Sequence, residues 1–272
     1  MSQIGYYSSP SIVGKNLVFI SDDDIWQVNT TNNQCVRLTT LHGVPQTPLY
    51  SPNGQVIAYS SNDSGGREIY ILSYLGGMPK RLTYFKNCSL IGWKNNQTIL
   101  FRSTYESFHK SIYYIYSMNI STNRIEKINI GPGSVVLYGN DKQRVLGKNI
   151  GDPARWKRYR GGTAGTLWVD KKGKNDFKQI LKNLKTNISN PLIMNNIIFF
   201  ISDHEGIGKI YSCNMSGNNL KAHSTNNSFY IRSFSIDDNK IVYASGGKLF
   251  LLDVKQQETT ELKIDLNSNF NQ

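Results

Sequence analysis

The sequence predicts an all-β chain: a six-bladed β-propeller with four antiparallel strands per blade and no strand-swapped closure. Three observations carry this. A unit of four short apolar runs and three turns is legible at residues 49–83 (LYSPNGQVIAYSSNDSGGREIYILSYLGGMPKRLT). Looser copies follow one another roughly every 40–45 residues, the period of propeller blades. Six copies consume nearly all of the 272 residues, which favours one domain over two.

In the clearest unit, Ser51-Pro52-Asn53-Gly54 is a tight turn, because Pro presets φ and Gly accepts positive φ. Residues 55–59 (QVIAY) then read as a β-prone strand, 62–66 as a hairpin turn and 68–72 (EIYIL) as a third strand. Gly76-Gly77 reads as the next turn and residues 79–83 (PKRLT) as an outer strand. Such a unit cannot bury both faces alone and needs neighbours of its own kind.

The copies align on a pair in the third strand: Ile25-Trp26, Ile69-Tyr70, Tyr114-Ile115, Leu167-Trp168, Ile210-Tyr211 and Leu249-Phe250. The outer strand recurs as Arg37-Leu38-Thr39, Arg81-Leu82-Thr83, Glu126-Lys127-Ile128, Gln179-Ile180-Leu181, Lys221-Ala222-His223 and Glu261-Leu262-Lys263. The expected blades are residues 9–41, 45–85, 88–129, 133–182, 187–224 and 229–263, with 264–272 as a polar linker or frayed end. Each blade draws its strands from contiguous sequence, so closure should rest on packing between the first and sixth blades.

In the first blade, residues 11–13, 16–21 and 24–28 are strands, with Asp22-Asp23-Asp24 as the hairpin. Three adjacent carboxylates can hold a hard cation, but Asp is a turn former and turn chemistry accounts for them more simply. The third blade starts near residues 90–93 and turns at 103–110; its third strand, 111–118, carries Tyr113, Tyr114 and Tyr116, which suit packing between blades. The fifth blade has strands at 197–202 and 209–213 around Asp203-His204-Glu205-Gly206. His204 between two acids resembles a metal or acid–base cluster, yet it falls where residues 62–66 form a hairpin turn, and turn chemistry explains it.

The fourth blade breaks the rhythm. Strands at 135–138 and 144–148 are separated from the next, at Thr166, by residues 149–165 (NIGDPARWKRYRGGTAG). This insertion supplies the candidate binding or interface residues: Arg155, Trp156, Lys157, Arg158, Tyr159 and Arg160. Long loops on rigid scaffolds concentrate function. The loop can fold across the propeller face, its Arg side chains stacked on Trp156 and Tyr159 and bonded to blade carbonyls. It can instead contact another domain or subunit, clamping carboxylates through Arg forks. A grip on phosphates and bases is the third and weakest reading.

The totals set the frame. With 31 Lys and Arg against 19 Asp and Glu, the formal charge is +12; this describes a solvated basic surface that attracts anionic partners at long range. No run of 18 apolar residues spans a membrane, and no secretory signal opens the chain. Cys35, Cys88 and Cys213 are odd in number and scattered, as expected of reduced thiols in a cytoplasmic protein. No catalytic residue, metal site or cofactor is expected: G-x-S-x-G, H-E-x-x-H and C-x-x-C are missing, and Gly246-Gly247-Lys248 lacks the spacing of a phosphate loop. His42, His109, His204 and His223 all fall in turns or outer strands.

With the blades placed, the chain resembles the tricorn proteases. The likeness lies in Pro10-Ser11-Ile12-Val13-Gly14-Lys15-Asn16-Leu17-Val18-Phe19, in Asp22-Asp23-Asp24-Ile25-Trp26 and in Arg81-Leu82-Thr83-Tyr84-Phe85. It is most specific in Trp156-Lys157-Arg158-Tyr159-Arg160-Gly161-Gly162-Thr163-Ala164-Gly165 followed by Leu167-Trp168, and continues in residues 200–212 (FISDHEGIGKIYS). The resemblance implies an unlatched six-bladed propeller at the N-terminus of a large archaeal or bacterial cytoplasmic peptidase. Such enzymes continue into a second, seven-bladed propeller, a PDZ-like domain and domains carrying a serine-type site. They assemble as hexamers and cleave peptides released by the proteasome. In them the first propeller is a passage to or from the enclosed active site.

The partners so implied are oligopeptides and the remaining domains or subunits of the assembly, with no membrane. No nucleophile, base or oxyanion donor carries over, so peptidase activity belongs to the family rather than to these residues. A stand-alone propeller that binds a protein or acidic partner through loop 149–165 is the alternative. A nucleic-acid-binding propeller and a propeller hydrolase acting alone are weaker readings.

Overall fold

The computed structural model describes residues 5–152, 154–155, 157–224, 228–264 and 266. Among them, six four-stranded antiparallel sheets follow one another along the chain, each with its strands in sequence order. The protein is a six-bladed β-propeller, and among the described residues no strand is exchanged between blades. The single helix among the described residues is the 3-10 turn Lys182–Leu184. No described helix is long and apolar enough to cross a membrane.

A cross-strand pair recurs at the centre of the blades. The second strand's aromatic ring faces that of the third: Tyr59 and Tyr70 stack at 5.6 Å, Phe101 and Tyr116 at 5.4 Å, Phe200 and Tyr211 at 6.1 Å, Tyr243 and Phe250 at 5.2 Å. Phe19 opposes Trp26 in the first blade, and Leu146 opposes Trp168 in the fourth. Such ring pairs add about 0.5–1.5 kcal/mol beyond the area they bury. Six of these rings are among the largest fully buried side chains.

This register corrects the sequence alignment in two blades. The third-strand pair of the third blade is Ile115-Tyr116, not Tyr114-Ile115, because Tyr116 opposes Phe101 and then Lys127 on the outer strand. In the fifth blade Tyr211 opposes Ala222, so the outer triplet is Ala222-His223-Ser224; the Ser224 hydroxyl accepts the Ile210 N–H at 3.2 Å, as Thr39 accepts that of Ile25 and Thr83 that of Ile69. The third strand of the third blade is also shorter than expected, Tyr114–Asn119. In the second blade Tyr74 and Leu75 make the turn, whereas Gly76 and Gly77 belong to the outer strand Gly76–Arg81.

The chain divides into two compact units. One joins everything up to Lys86 with the chain from Ser233 onward. Its first and sixth blades meet by hydrogen bonds as well as packing. Ser233, Ser235 and Asp237 accept the backbone N–H groups of Ser9, Ile12 and Gly14 at 3.2, 3.1 and 2.6 Å. Tyr7 donates its N–H to the Gly247 carbonyl at 2.8 Å and its hydroxyl to the Ile264 carbonyl at 3.1 Å. Ile264 and Leu266, read from the sequence as part of a polar linker, lie instead in the core with Tyr7, Phe19 and Trp26.

Two buried carboxylates in this unit, Asp24 and Glu68, open the third strands of the first and second blades. Asp22 and Asp23 alone form the hairpin, both with positive φ, while Asp24 opens the third strand. Its carboxylate takes the Thr39 hydroxyl at 2.7 Å, the Leu41 N–H at 2.9 Å and the Arg37 guanidinium. Glu68 repeats the pattern with Thr83 at 2.6 Å, Lys86 N–H at 2.6 Å and Arg81 at 3.1 Å. The acid, Arg and Thr sit at the same spacing in both blades, so each outer strand is bolted to the third strand by its own carboxylate.

The other unit, Asn87–Arg232, holds the third, fourth and fifth blades. Val145, Leu167, Val169, Ile198, Phe200 and Tyr211 form a core shared by the fourth and fifth. Tyr113 and Tyr114 are occupied within the third blade, under the cations of Arg102 and Lys127 at 5.0 and 3.7 Å.

Candidate functional site

The basic insertion, residues 149–165, joins the second strand of the fourth blade, Arg144–Lys148, to the third, Thr166–Asp170. Its first half is held by the fifth blade and the chain after it. Asp152 pairs with the Arg232 guanidinium and accepts the Ala154 N–H at 2.9 Å. Burial alone would raise the Asp152 pKa, but Arg232, the Ala154 N–H and the nearby charge of Arg155 together hold it below the ordinary carboxylate value.

Arg158 is the anchor. It adopts φ 57°, a left-handed conformation that a non-glycine residue keeps only where its surroundings enforce it. Its N–H donates to the Asp203 carboxylate at 2.5 Å, and its Nε donates to the Gly206 carbonyl at 2.9 Å. Asp203 is 3% exposed and also accepts the Thr186 hydroxyl at 2.6 Å. Tyr230 closes the cluster: its hydroxyl lies 3.2 Å from the Gly206 carbonyl, and the Lys157 ammonium sits 5.2 Å over its ring. Burial, reinforced by the charge of Asp203, pushes the Tyr230 pKa up.

The far end of the insertion is clamped by backbone. Gly165 donates its N–H to Asn187 at 2.8 Å and accepts the Ile188 N–H at 3.2 Å. A Cβ on Gly165 would meet the Ile188 carbonyl oxygen at 1.9 Å, so only glycine fits.

The six candidate residues therefore separate. Lys157 and Arg158 brace the loop, and Tyr159 bonds Thr163 at 2.8 Å within it. Arg155 is exposed, its N–H on the Asp152 carbonyl at 3.2 Å. Arg160 lines a cavity of about 170 Å³. Trp156 lies outside the described residues. His204 bonds Ser202 at 3.0 Å and tilts over Tyr211 at 4.4 Å, while Glu205 accepts Tyr211 and Lys209 at 2.8 and 3.1 Å. Burial lowers the His204 pKa, and the Tyr211 hydroxyl and Lys209 lower that of Glu205. Among the described residues, no group of three or more His, Cys, Asp and Glu side chains is placed to hold a metal ion.

With this geometry in place, comparison with known proteins is decisive. Residues 4–258 match the family described as the Tricorn protease N-terminal beta propeller domain. The chain belongs to that family.

A tricorn protease homolog of Saccharolobus solfataricus is 32% identical over 268 residues, covering 96% of this chain and 25% of that protein. The crystal structure of the tricorn protease superposes with a TM-score of 0.90 at 25% identity, covering 98% of this chain and 27% of that one. A Tricorn-like protease N-terminal subunit of Sulfurisphaera tokodaii is 34% identical over 171 residues, covering 61% of this chain and 86% of that subunit. This tricorn propeller thus spans about a quarter of the length of the first two proteins.

Sequence reasoning missed three parts of the tricorn propeller's site. Asp203 was assigned to a turn, although its neighbours Ser202 and Gly206 gave no sign of a partner 45 residues upstream. Tyr230 and Arg232 carried no signal at all. Lys182 and Lys185 belong to no motif in the sequence, yet both line the cavity that Arg160 borders.

Proposed function

We propose that this chain is a non-catalytic propeller of a tricorn-type serine peptidase, acting as a passage and docking domain for peptides released by the proteasome. The observation that carries the reading is the family match over residues 4–258. It is supported by the chemistry of the chain, which holds no G-x-S-x-G, H-E-x-x-H or C-x-x-C pattern, so hydrolysis falls to other domains or subunits of a hexameric, cytoplasmic assembly. The basic insertion is the docking element. Its braced half gives rigidity, and Arg155 and Arg160 supply charge that favours acidic peptides through long-range attraction.

A second reading is favoured by the Sulfurisphaera relative, which is described as a separate N-terminal subunit. In it the propeller is a free-standing chain that binds its catalytic partner through residues 149–165. Probing native cell extract with an antibody against the propeller separates the two. A denatured band several times 30.8 kDa supports a domain of one long peptidase, and a band at 30.8 kDa supports the separate subunit. Passage itself is tested by peptide capture: Arg160→Ala should weaken binding of acidic peptides more than neutral ones, and equal loss for both would overturn charge selection.

A further inference from the structure

The cavity beside the insertion is lined by Arg160, by Thr166 and Gln179 of the fourth blade, and by Lys182, Lys185 and Thr186 of the connection to the fifth. No Asp or Glu lines it. Arg160, Lys182 and Lys185 are exposed at its mouth, and no carboxylate within the chain pairs with any of the three among the described residues. We propose that this cavity binds a small anion carrying two or more negative charges, of the phosphate class. The proposal goes beyond the peptide-docking reading and stands whether or not that reading holds.

Local geometry brings the charges together. Lys182–Leu184 is a 3-10 turn, bounded by Leu181 and Lys185 with φ of 58° and 44°. Lys182 opens this turn and Lys185 follows it, and both line the cavity. Arg160 reaches the same cavity from the insertion, whose next residues are clamped at Gly165.

The polar wall is suited to an acceptor-rich ligand. Thr166 accepts the Trp168 Nε1–H at 3.1 Å, which leaves its own hydroxyl hydrogen to donate elsewhere. Gln179 adds two amide donors. Asp203, whose carboxylate the Thr186 hydroxyl contacts, is not part of the lining; it is 3% exposed and engaged by the Arg158 N–H.

Size and charge narrow the class. A volume of about 170 Å³ holds about five waters at ~30 Å³ each, room for one phosphate group with part of its hydration. A single carboxylate would leave two of three positive charges unbalanced. A doubly charged anion with three or more oxygens matches one Arg fork and two ammonium groups.

The test is calorimetric titration of the whole chain with inorganic phosphate and pyrophosphate, and with acetate at matched ionic strength. Saturable binding is expected, at least 10-fold tighter for phosphate or pyrophosphate than for acetate. It should weaken at least 10-fold in Arg160→Ala and in the double variant Lys182→Ala/Lys185→Ala, and persist in Lys80→Ala, which removes an exposed lysine elsewhere. Unsaturable heats, equal affinity for acetate, or unchanged binding in both cavity variants would overturn it. Peptide capture by the unmutated chain keeps the two ideas apart: its absence, with saturable phosphate binding present, counts against the docking reading alone.

Discussion

The carboxylate of Asp203 accepts the backbone N–H of Arg158 at 2.5 Å, fastening a basic loop of the fourth blade to a turn of the fifth through its main chain. The contact requires no particular side chain at position 158, only an N–H held at positive φ. Asp203 thereby holds the middle of the insertion, between the anchors at Asp152 and Gly165. In Asp203→Ala the Thr186 hydroxyl and the Arg158 N–H lose their acceptor, at about 1–3 kcal/mol for each buried group left unsatisfied. Urea unfolding should show this loss, and limited proteolysis should cut within residues 149–165 faster than in the parent chain.

Two glycines of the same insertion should respond oppositely to one added methyl group. Gly165→Ala drives its Cβ to 1.9 Å from the Ile188 carbonyl oxygen, whereas at Gly162 nothing lies within 4 Å. Overpacking of this kind destabilises by about 1–3 kcal/mol or more, while an open surface site changes stability by about 0.5 kcal/mol or less. The difference between the two thermal midpoints is the measurement.

The outer-strand bolts should differ in strength according to burial. Glu68 is fully buried and holds Arg81, Thr83 and two backbone N–H groups, whereas the sixth blade reverses the charges in the exposed pair Lys248 and Glu261. Glu68→Ala should cost about 3 kcal/mol or more, as breaking buried pairs does. Glu261→Ala should cost under about 1 kcal/mol. Urea midpoints with an unchanged m-value would report both.

His223 makes stability depend on pH. It is 5% exposed, its Nε2 lies 2.7 Å from the Ser212 hydroxyl, and burial, with a smaller effect of Lys221, lowers its pKa to about 4. The unfolded chain therefore binds the proton first, near pH 6.5. The contribution of neutral His223 is complete above about pH 6.5 and is lost as pH falls from there to about 4, on the order of 2–3 kcal/mol. His223→Gln should flatten the stability profile across that window. An unchanged slope would assign the acid sensitivity to other groups.

Much of the fold was legible because its signals are local. Four-strand units, tight turns such as residues 51–54, and second-strand rings such as Tyr59 and Phe101 repeat within a few tens of residues. Contiguous blades could therefore be read without tertiary knowledge. The register was legible in the first, second, fourth and sixth blades, where the third-strand pair and the outer triplet meet as aligned. In the third blade Tyr113 and Tyr114 stand beside Tyr116, so the sequence offers three rings where one opposes Phe101, and in the fifth the outer strand Lys221–Ala222 is two residues long, too short for any periodicity to locate it.

By itself the sequence determined that the chain is all β, that it builds six self-contained blades, and that a basic insertion interrupts the fourth. Alternation of apolar residues and the backbone demands of Gly, Pro and Asp in turns act over neighbouring positions, and they suffice for those statements. Only the tertiary structure decided which charges are engaged and which are available. Arg158 and Arg160 are two residues apart and chemically identical in the sequence; one is tied to Gly206, and the other faces a cavity with Lys182 and Lys185. Burial and long-range contact distinguish them, because a charge gains its partner from residues tens of positions away that folding brings within hydrogen-bond reach.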